Sequence, residues 1–139
     1  MSKIRHLAIK TKNPERLAKF YGDVFDMKIL LTEKSGAIYM TDGYLTLAIL
    51  KNRGDYTPSG INHFGFQVGD MDEIEKRLEA FDEPLTGRPS TRVYAERRAM
   101  DPDGNLFDVS VHGYDKVEYA EEREKKKLSN ELTEMQDQL

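Results

Sequence analysis

The chain contains one pattern of predicted elements twice, and this repeat restricts the fold more than any other feature of the sequence. Residues 5–9 read RHLAI and residues 62–66 read NHFGF, so a histidine stands at the same place in each copy. Residues 41–45, TDGYL, and residues 102–106, PDGNL, place an Asp-Gly turn at matching points. Because copies of such a unit bury their apolar faces against each other, we predict a single α+β domain of two βαβββ modules. The modules span residues 3–50 and 61–113, and a linker around residues 55–59 joins them.

The stretch at residues 100–112, MDPDGNLFDVSVH, shows how the second module ends. Pro102 has no N–H to donate and Asp103-Gly104 favours a positive φ, so the chain is predicted to turn there. Apolar and polar side chains then alternate, with Phe107, Val109 and Val111 on one face and Asp108, Ser110 and His112 on the other. A period of two predicts a half-buried strand. Asp108 therefore lies on the polar face of that strand.

The two histidines lie on predicted strands with the same alternation. At residues 4–11 the two faces carry Leu7 and Ile9 against His6, Ala8 and Lys10. At residues 61–68 they carry Phe64, Phe66 and Val68 against His63, Gly65 and Gln67. Both histidines are thus expected to face a shared interior. The remaining predicted elements are strands at residues 27–32, 37–41, 44–50 and 92–100, helices capped by Asn13 and by Asp70 or Asp72, and a short edge strand within residues 84–89.

Composition excludes several classes of protein. The 139 residues are 38% hydrophobic and 33% charged with a net charge of −4, which predicts one soluble domain without a basic surface for nucleic acid. The absence of cysteine excludes disulfides, thiolate metal sites and cysteine nucleophiles. No stretch has the apolar length of a signal peptide core or a membrane span. We therefore expect a cytoplasmic protein that binds neither nucleic acid nor membrane.

The last part of the chain differs from the two modules. Residues 115–139 are strongly charged and helix-forming, with a thin apolar stripe of Tyr119, Leu128, Leu132 and Met135. They predict a charged helical tail outside the domain at residues 1–114, which either docks on a partner chain or remains in solvent. A sheet of two small modules leaves strand edges and apolar helix faces to cover, so we expect a homodimer.

Three segments resemble the vicinal oxygen chelate superfamily, which includes glyoxalases, bleomycin-resistance proteins and extradiol dioxygenases. They are RHLAIKTKNPERLAKFYGDVFDMKI, NHFGFQVGDMDEIEKRLEA and DPDGNLFDVS, and the resemblance covers residues 3 to 113. It implies paired βαβββ modules whose curved sheet wraps a divalent metal. It also implies that the ligands come from the first and last strands of each module.

Carried over residue by residue, the resemblance implies that His6, His63 and Asp108 are metal ligands. Leu47 occupies the fourth position and cannot bind a metal, and Asp108 stands where the family usually has glutamate. Two imidazoles and a carboxylate on one face are also, by their chemistry, the donor set of open sites for Fe, Mn, Co or Zn. We therefore predict a site that is open to solvent and holds Fe, Mn, Zn, Ni or Co.

Six further residues are assigned to a substrate pocket: Lys10, Tyr39, Leu47, Gln67, Arg98 and His112. Lys10 and Gln67 either hold a substrate anion or extend to solvent. Arg98 lies in a run that is polar on both faces, and either grips a carboxylate or guards an exposed strand edge. Tyr39 is a pocket wall or a core residue, and His112 is a rim residue or a base.

Two functions are consistent with these residues. The first is a metal-dependent enzyme, dioxygenase-like or a lyase or isomerase, whose small substrate chelates the metal through vicinal oxygens. The lack of a ligand at Leu47 favours a three-ligand, dioxygenase-like centre. The second is a metal-free protein that sequesters a small molecule, as bleomycin-resistance proteins do. No residue is assigned as catalytic at this point.

Overall fold

The computed structural model describes residues 1–54, 58–87, 97–112 and 120–138. Within these residues the first module comprises β1 (Lys3–Thr11), α1 (Pro14–Phe25), β2 (Lys28–Thr32), β3 (Ile38–Thr41) and β4 (Thr46–Lys51). The second comprises β5 (Gly60–Gln67), α2 (Met71–Glu79), β6 (Thr86–Gly87), β7 (Arg97–Met100) and β8 (Leu106–Ser110). Helix α3 (Ala120–Asp137) follows.

The strands form one eight-stranded sheet in the order β2-β3-β4-β1-β5-β8-β7-β6. Strands β1 and β4 pair in parallel, as do β5 and β8, and the two modules join where β1 and β5 pair antiparallel. The order on one side of the β1–β5 pair mirrors the order on the other side. This confirms the predicted α+β fold of two βαβββ modules in one curved mixed sheet.

Local sequence signals set the helix starts and the turns. Asn13 Oδ1 accepts a hydrogen bond from the Arg16 N–H at the start of α1, and Asp70 Oδ1 accepts from the N–H groups of Asp72 and Glu73 at the start of α2. Asp70 is thus the cap of the second helix. The matching turns contain Gly43 at a φ of 95° and Gly104 at a φ of 85°, a conformation that glycine adopts without strain.

The two helices cover one face of the sheet. Under α1, Ala18 packs with Ile38, Met40, Leu47 and Ile49. Under α2, Val68, Ala99, Phe107 and Val109 pack with Ile74 and Leu78. Leu7 and Phe64 are paired in register and belong to these two clusters, so both helices lie on the same side. The opposite face carries the two histidines and Asp108.

Several element boundaries differ from the prediction. Strand β8 ends at Ser110, two residues before the predicted end, and β7 is described only from Arg97 onward. Much of the predicted strand at residues 92–100, the middle of the linker at residues 55–57 and Tyr119 of the tail lie outside the described residues. Among the described residues, no helix combines the length and the apolar character needed to span a membrane.

Candidate metal centre

Strand pairing brings polar residues of three strands into one row, with a glycine of a fourth strand between them. His6 on β1 pairs with Gly65 on β5, Gly65 pairs with Asp108 on β8, and Asp108 pairs with Arg98 on β7. His63 lies in the next row, opposite Ala8 of β1. Paired residues of neighbouring strands share a face. The sheet therefore presents His6, His63, Asp108 and Arg98 on one surface.

Three donor atoms of this surface converge. The Nε2 atoms of His6 and His63 lie 3.3 Å apart, and Asp108 Oδ2 lies 3.2 Å from His63 Nε2 and 3.9 Å from His6 Nε2. The circle through these three atoms has a radius of about 2.0 Å, which matches the 2.0–2.2 Å bonds of zinc to imidazole nitrogen and carboxylate oxygen. The donor types and their spacing therefore fit a divalent cation.

The cluster is buried. The opening of the site to solvent remains a prediction for the position of the metal, whereas the three side chains are themselves buried, with exposed fractions of 6% for His6, 7% for His63 and 1% for Asp108. The cause is their place in the sheet, since His6 and His63 lie on its two central strands and Asp108 on the strand beside them. Because little water screens the charge of a buried carboxylate, its attraction for a cation is stronger there than at the protein surface.

Asp108 remains ionised despite its burial. Burial by itself raises the pKa of this carboxyl group, but hydrogen bonds from His63 and Arg98, together with their positive charge, outweigh it and lower the pKa to about 2. A carboxylate is therefore present at neutral pH, which is the form that binds a metal.

A neighbouring amide orients the ring of His63. Nδ1 of His63 lies 2.7 Å from Oδ1 of Asn62. Because that oxygen can only accept, the contact puts a proton on Nδ1 and directs Nε2, the other ring nitrogen, at the cluster. Such a second partner is typical of metal-binding histidines, because it fixes both the tautomer and the ring orientation.

Gly65 is a residue of the site that the sequence interpretation missed. It lies between His6 and Asp108 in the row, and a Cβ atom there would lie 2.9 Å from Cβ of His6 and 3.2 Å from its Cδ2. The absence of a side chain lets the His6 ring lie across the strand. A glycine in the interior of a predicted strand was the available signal, because it often marks a close approach of other groups.

The register of β4 corrects the assignment of the fourth position. Gly65, two residues after His63, pairs with Asp108, and its counterpart Ala8, two residues after His6, pairs with Ala48. Leu47 lies on the opposite face and packs under α1 with Ala18. The sequence alignment missed this because β4 begins three residues after Gly43, whereas β8 begins two residues after Gly104. Ala48, like leucine, offers no ligand.

The other residues predicted for the pocket lie in different places. Tyr39 is 1% exposed on the face of the sheet that carries the histidines, where it belongs to a hydrophobic cluster, and it pairs with Ala48 in the same row as Ala8 and His63. Lys10 pairs with Leu50, which borders the cluster of Tyr39 and Ala48. Gln67 Oε1 accepts a hydrogen bond of 2.8 Å from Arg5 Nη1.

Arg98 and His112 differ in their relation to the cluster. Arg98 faces it, because its Nε donates to Oδ1 of Asp108 at 2.8 Å. The sequence left open whether Arg98 grips a carboxylate or guards an exposed strand edge. In the structure it contacts a carboxylate of the protein itself, that of Asp108. His112 follows the end of β8, where its N–H donates to Ser110 Oγ at 3.0 Å, and it is not part of the group formed by His6, His63 and Asp108.

Comparison with known structures finds the same fold in several proteins. A hypothetical protein from Bacillus halodurans C-125 aligns with a TM-score of 0.61 and 17% identity over 78% of this chain and 92% of that one. The 2,3-dioxygenase LapB from Pseudomonas sp. KL28 gives a TM-score of 0.64 and 19% identity over 79% of this chain and 40% of that one. The Mn(II)-bound glyoxalase from Novosphingobium aromaticivorans gives a TM-score of 0.61 and 18% identity over 84% of this chain and 41% of that one. The chain thus spans less than half of the latter two proteins.

The sequence itself identifies the family. No curated protein matches the chain. The model of the Glyoxalase/Bleomycin resistance protein/Dioxygenase superfamily, however, matches residues 3–109, which include both modules and all three residues of the cluster. The chain therefore belongs to the glyoxalase/bleomycin resistance protein/dioxygenase superfamily.

Proposed function

We propose that the protein is a metal-dependent enzyme of this superfamily whose small oxygenated substrate chelates a divalent metal through vicinal oxygens. The observation that carries the proposal is the convergence of His6 Nε2, His63 Nε2 and Asp108 Oδ2 from three different strands. Fe, Mn, Zn, Ni and Co all accept imidazole and carboxylate ligands, so the donor set leaves the choice among them open.

The protein's own residues prepare this site for an additional ligand. When bound, a divalent cation supplies a Lewis acid that stabilises negative charge on the substrate oxygens. His6 and His63 offer neutral nitrogens and Asp108 offers one negative charge, so three protein donors leave coordination positions for a chelating molecule. Since the cluster of described residues holds a single carboxylate, a three-ligand, dioxygenase-like centre fits better than a four-ligand one.

The substrate is proposed to lie over the first module. In the row of His63, the next residues across the sheet are Ala8, Ala48 and Tyr39, and two of these have the smallest side chains that carry a Cβ. Ala8, Ala48 and Tyr39 pack together with Leu31 beside the histidines, and we propose that this cluster forms the apolar wall against which the substrate lies. Lys10, on the same face, is proposed to attract a negatively charged group of the substrate.

A metal-free pocket that sequesters a small molecule is the second candidate, and one observation favours it. The charge of Asp108 is already balanced within the chain, because Arg98 Nε lies 2.8 Å from Oδ1 and His63 Nε2 lies 3.2 Å from Oδ2. A buried carboxylate with such partners is stable without a cation. The two candidates therefore differ in whether the cluster takes up metal.

Metal analysis of protein purified without a histidine tag decides between them. The protein is stripped with a chelator, incubated with each divalent metal, freed of excess metal and analysed beside the stripped control. We expect one equivalent of metal per chain in the parent, no stoichiometric uptake in His63→Ala, and full uptake in the matched variant His112→Ala. If the folded parent takes up no metal, or if His63→Ala takes up as much as the parent, the sequestering pocket becomes the better proposal.

A further inference from the structure

The carboxylate of Asp108 is shared between two sets of partners. Oδ1 accepts a hydrogen bond of 2.8 Å from Nε of Arg98, on the β7 side, whereas Oδ2 lies 3.2 Å from Nε2 of His63. Asp108 and Arg98 are also paired in register, so the two side chains emerge side by side from neighbouring strands. Each oxygen of the carboxylate is thereby directed to a different partner.

We propose that Arg98 is a positioning residue of the centre, which holds Asp108 so that a single oxygen, Oδ2, is presented to the metal. This inference rests on the proposed function. The torsion that turns a carboxylate about its last carbon–carbon bond has broad minima, so packing alone fixes it poorly. A hydrogen bond to one oxygen removes this freedom, as partners outside the ligand set do in metal sites generally.

The contact between Arg98 and Asp108 also matters because the side chain of aspartate is short. Aspartate is one methylene shorter than glutamate and has fewer torsions with which to reach a cation. Gly65 separates Asp108 from His6 in their row, so the short side chain of Asp108 must reach past this residue toward His6 with few torsions to adjust. A donor on the far side of the carboxylate fixes the direction of the remaining oxygen along the row.

Arg98 has a second, opposing effect through its charge. The guanidinium is positive, and its charge disfavours a cation bound to the same carboxylate. If charge dominated, removal of Arg98 would tighten metal binding, whereas removal of a positioning contact weakens it. The sign of the change in affinity therefore separates the two roles, provided that each variant is shown to be folded.

Three substitutions at residue 98 separate the N–H donor from the charge. In Arg98→Gln, the amide nitrogen is as many bonds from Cα as Nε of arginine, so the donor is retained while the charge is lost. Arg98→Met fills the same length without a donor. Arg98→Lys keeps the charge but moves the donor one atom further out. Arg97→Gln, on the opposite face of β7, is the control for the loss of one positive charge.

The measurement is the dissociation constant for Zn²⁺, obtained by competition with a chromophoric chelator, with circular dichroism to verify folding of each variant. Visible absorption of the Co²⁺-loaded protein reports the geometry of the ligands as an independent signal. We expect Arg98→Met to bind Zn²⁺ about 10–100-fold more weakly than the parent and to change the Co²⁺ spectrum. Arg98→Gln and Arg97→Gln should remain within a few-fold of the parent, and Arg98→Lys should bind more weakly than Arg98→Gln.

Each outcome decides the inference. Equal or tighter binding by Arg98→Met overturns the positioning role and leaves the proposed function intact. If Arg98→Met does not fold, the Zn²⁺ affinities of Arg98→Gln and Arg98→Lys are compared instead. Tighter binding by Arg98→Lys than by Arg98→Gln overturns the positioning role. If the parent binds neither Zn²⁺ nor Co²⁺, the proposed function and this inference both fail.

Discussion

Gly65→Ala tests whether the gap between His6 and Asp108 is required for the cluster. The new Cβ would lie 2.9 Å from Cβ of His6, where ordinary contacts begin at 3.4 Å. His6 or its strand must therefore move by about 0.5 Å, which exceeds the tolerance of about 0.2 Å on metal–ligand distances. We expect the dissociation constant for Zn²⁺ to rise by about 10–100-fold.

The same substitution should also lower the free energy of unfolding. Overpacking of a tight site costs about 1–3 kcal/mol, and the reduced freedom of the unfolded chain returns about 0.4–1 kcal/mol. The expected net loss is about 1–2 kcal/mol, measured by urea unfolding of the metal-free protein.

Gly69→Ala is the matched control, because no heavy atom lies within 4 Å of a Cβ built at that position. It should leave metal affinity unchanged and stability unchanged or slightly higher. The reasoning is refuted if Gly65→Ala binds Zn²⁺ like the parent, or if Gly69→Ala weakens binding equally.

Three other outcomes follow from the structure. The lowered pKa of Asp108, about 2 against 3.8, stabilises the fold above pH 4, and this contribution is lost as the pH falls from 4 to 2. Acid titration of the metal-free protein should show a loss of about 2 kcal/mol in this window that Asp108→Asn lacks. We expect a dimer in sedimentation at micromolar concentration, and deletion of residues 116–139 should weaken it if the exposed Leu128 and Leu132 of α3 contact the partner chain. Ala48→Asp should bind Zn²⁺ more tightly than the parent, whereas Leu47→Asp, under α1, should unfold the protein without rescue by metal.

Features encoded within a few residues were predictable from the sequence. The caps at Asn13 and Asp70 and the Asp-Gly turns each depend on near neighbours, and the structure confirms them. The alternation of β8 assigned Phe107 and Val109 to one face correctly, but the strand is buried on both faces from Phe107 to Ser110 and not half-buried. The repeat extended this to the topology, because two copies of one unit are most simply placed by a pseudo-twofold axis. The repeat placed His6 and His63 on matching strands, and the family resemblance added Asp108 to them as the third predicted ligand.

Features that depend on pairing between distant strands were not predictable in the same way. Alternation assigns the two faces of a strand, but the register with the next strand depends on hydrogen bonds between segments far apart in sequence. Ala48 was missed because one extra residue follows the turn at Gly43. The partner of Arg98 was left open because its own strand is polar on both faces. The sequence placed both histidines toward a shared interior, but it did not show that their strands are the two central ones of the sheet.

The cluster has a carboxylate on one side only, although the sheet around it is nearly symmetric. The histidines occupy equivalent places, and so do the small residues opposite them, since His6 faces Gly65 and His63 faces Ala8. The strands on either side of the central pair break the relation, with Asp108 on β8 against Ala48 on β4. The carboxylate side of the centre is closed by Arg98, and the alanine side is lined by small side chains and Tyr39. In the proposed function the substrate takes the place of the missing fourth donor on the side of the first module, so substitutions at Tyr39 and Ala48 are expected to alter substrate binding more than substitutions around β7.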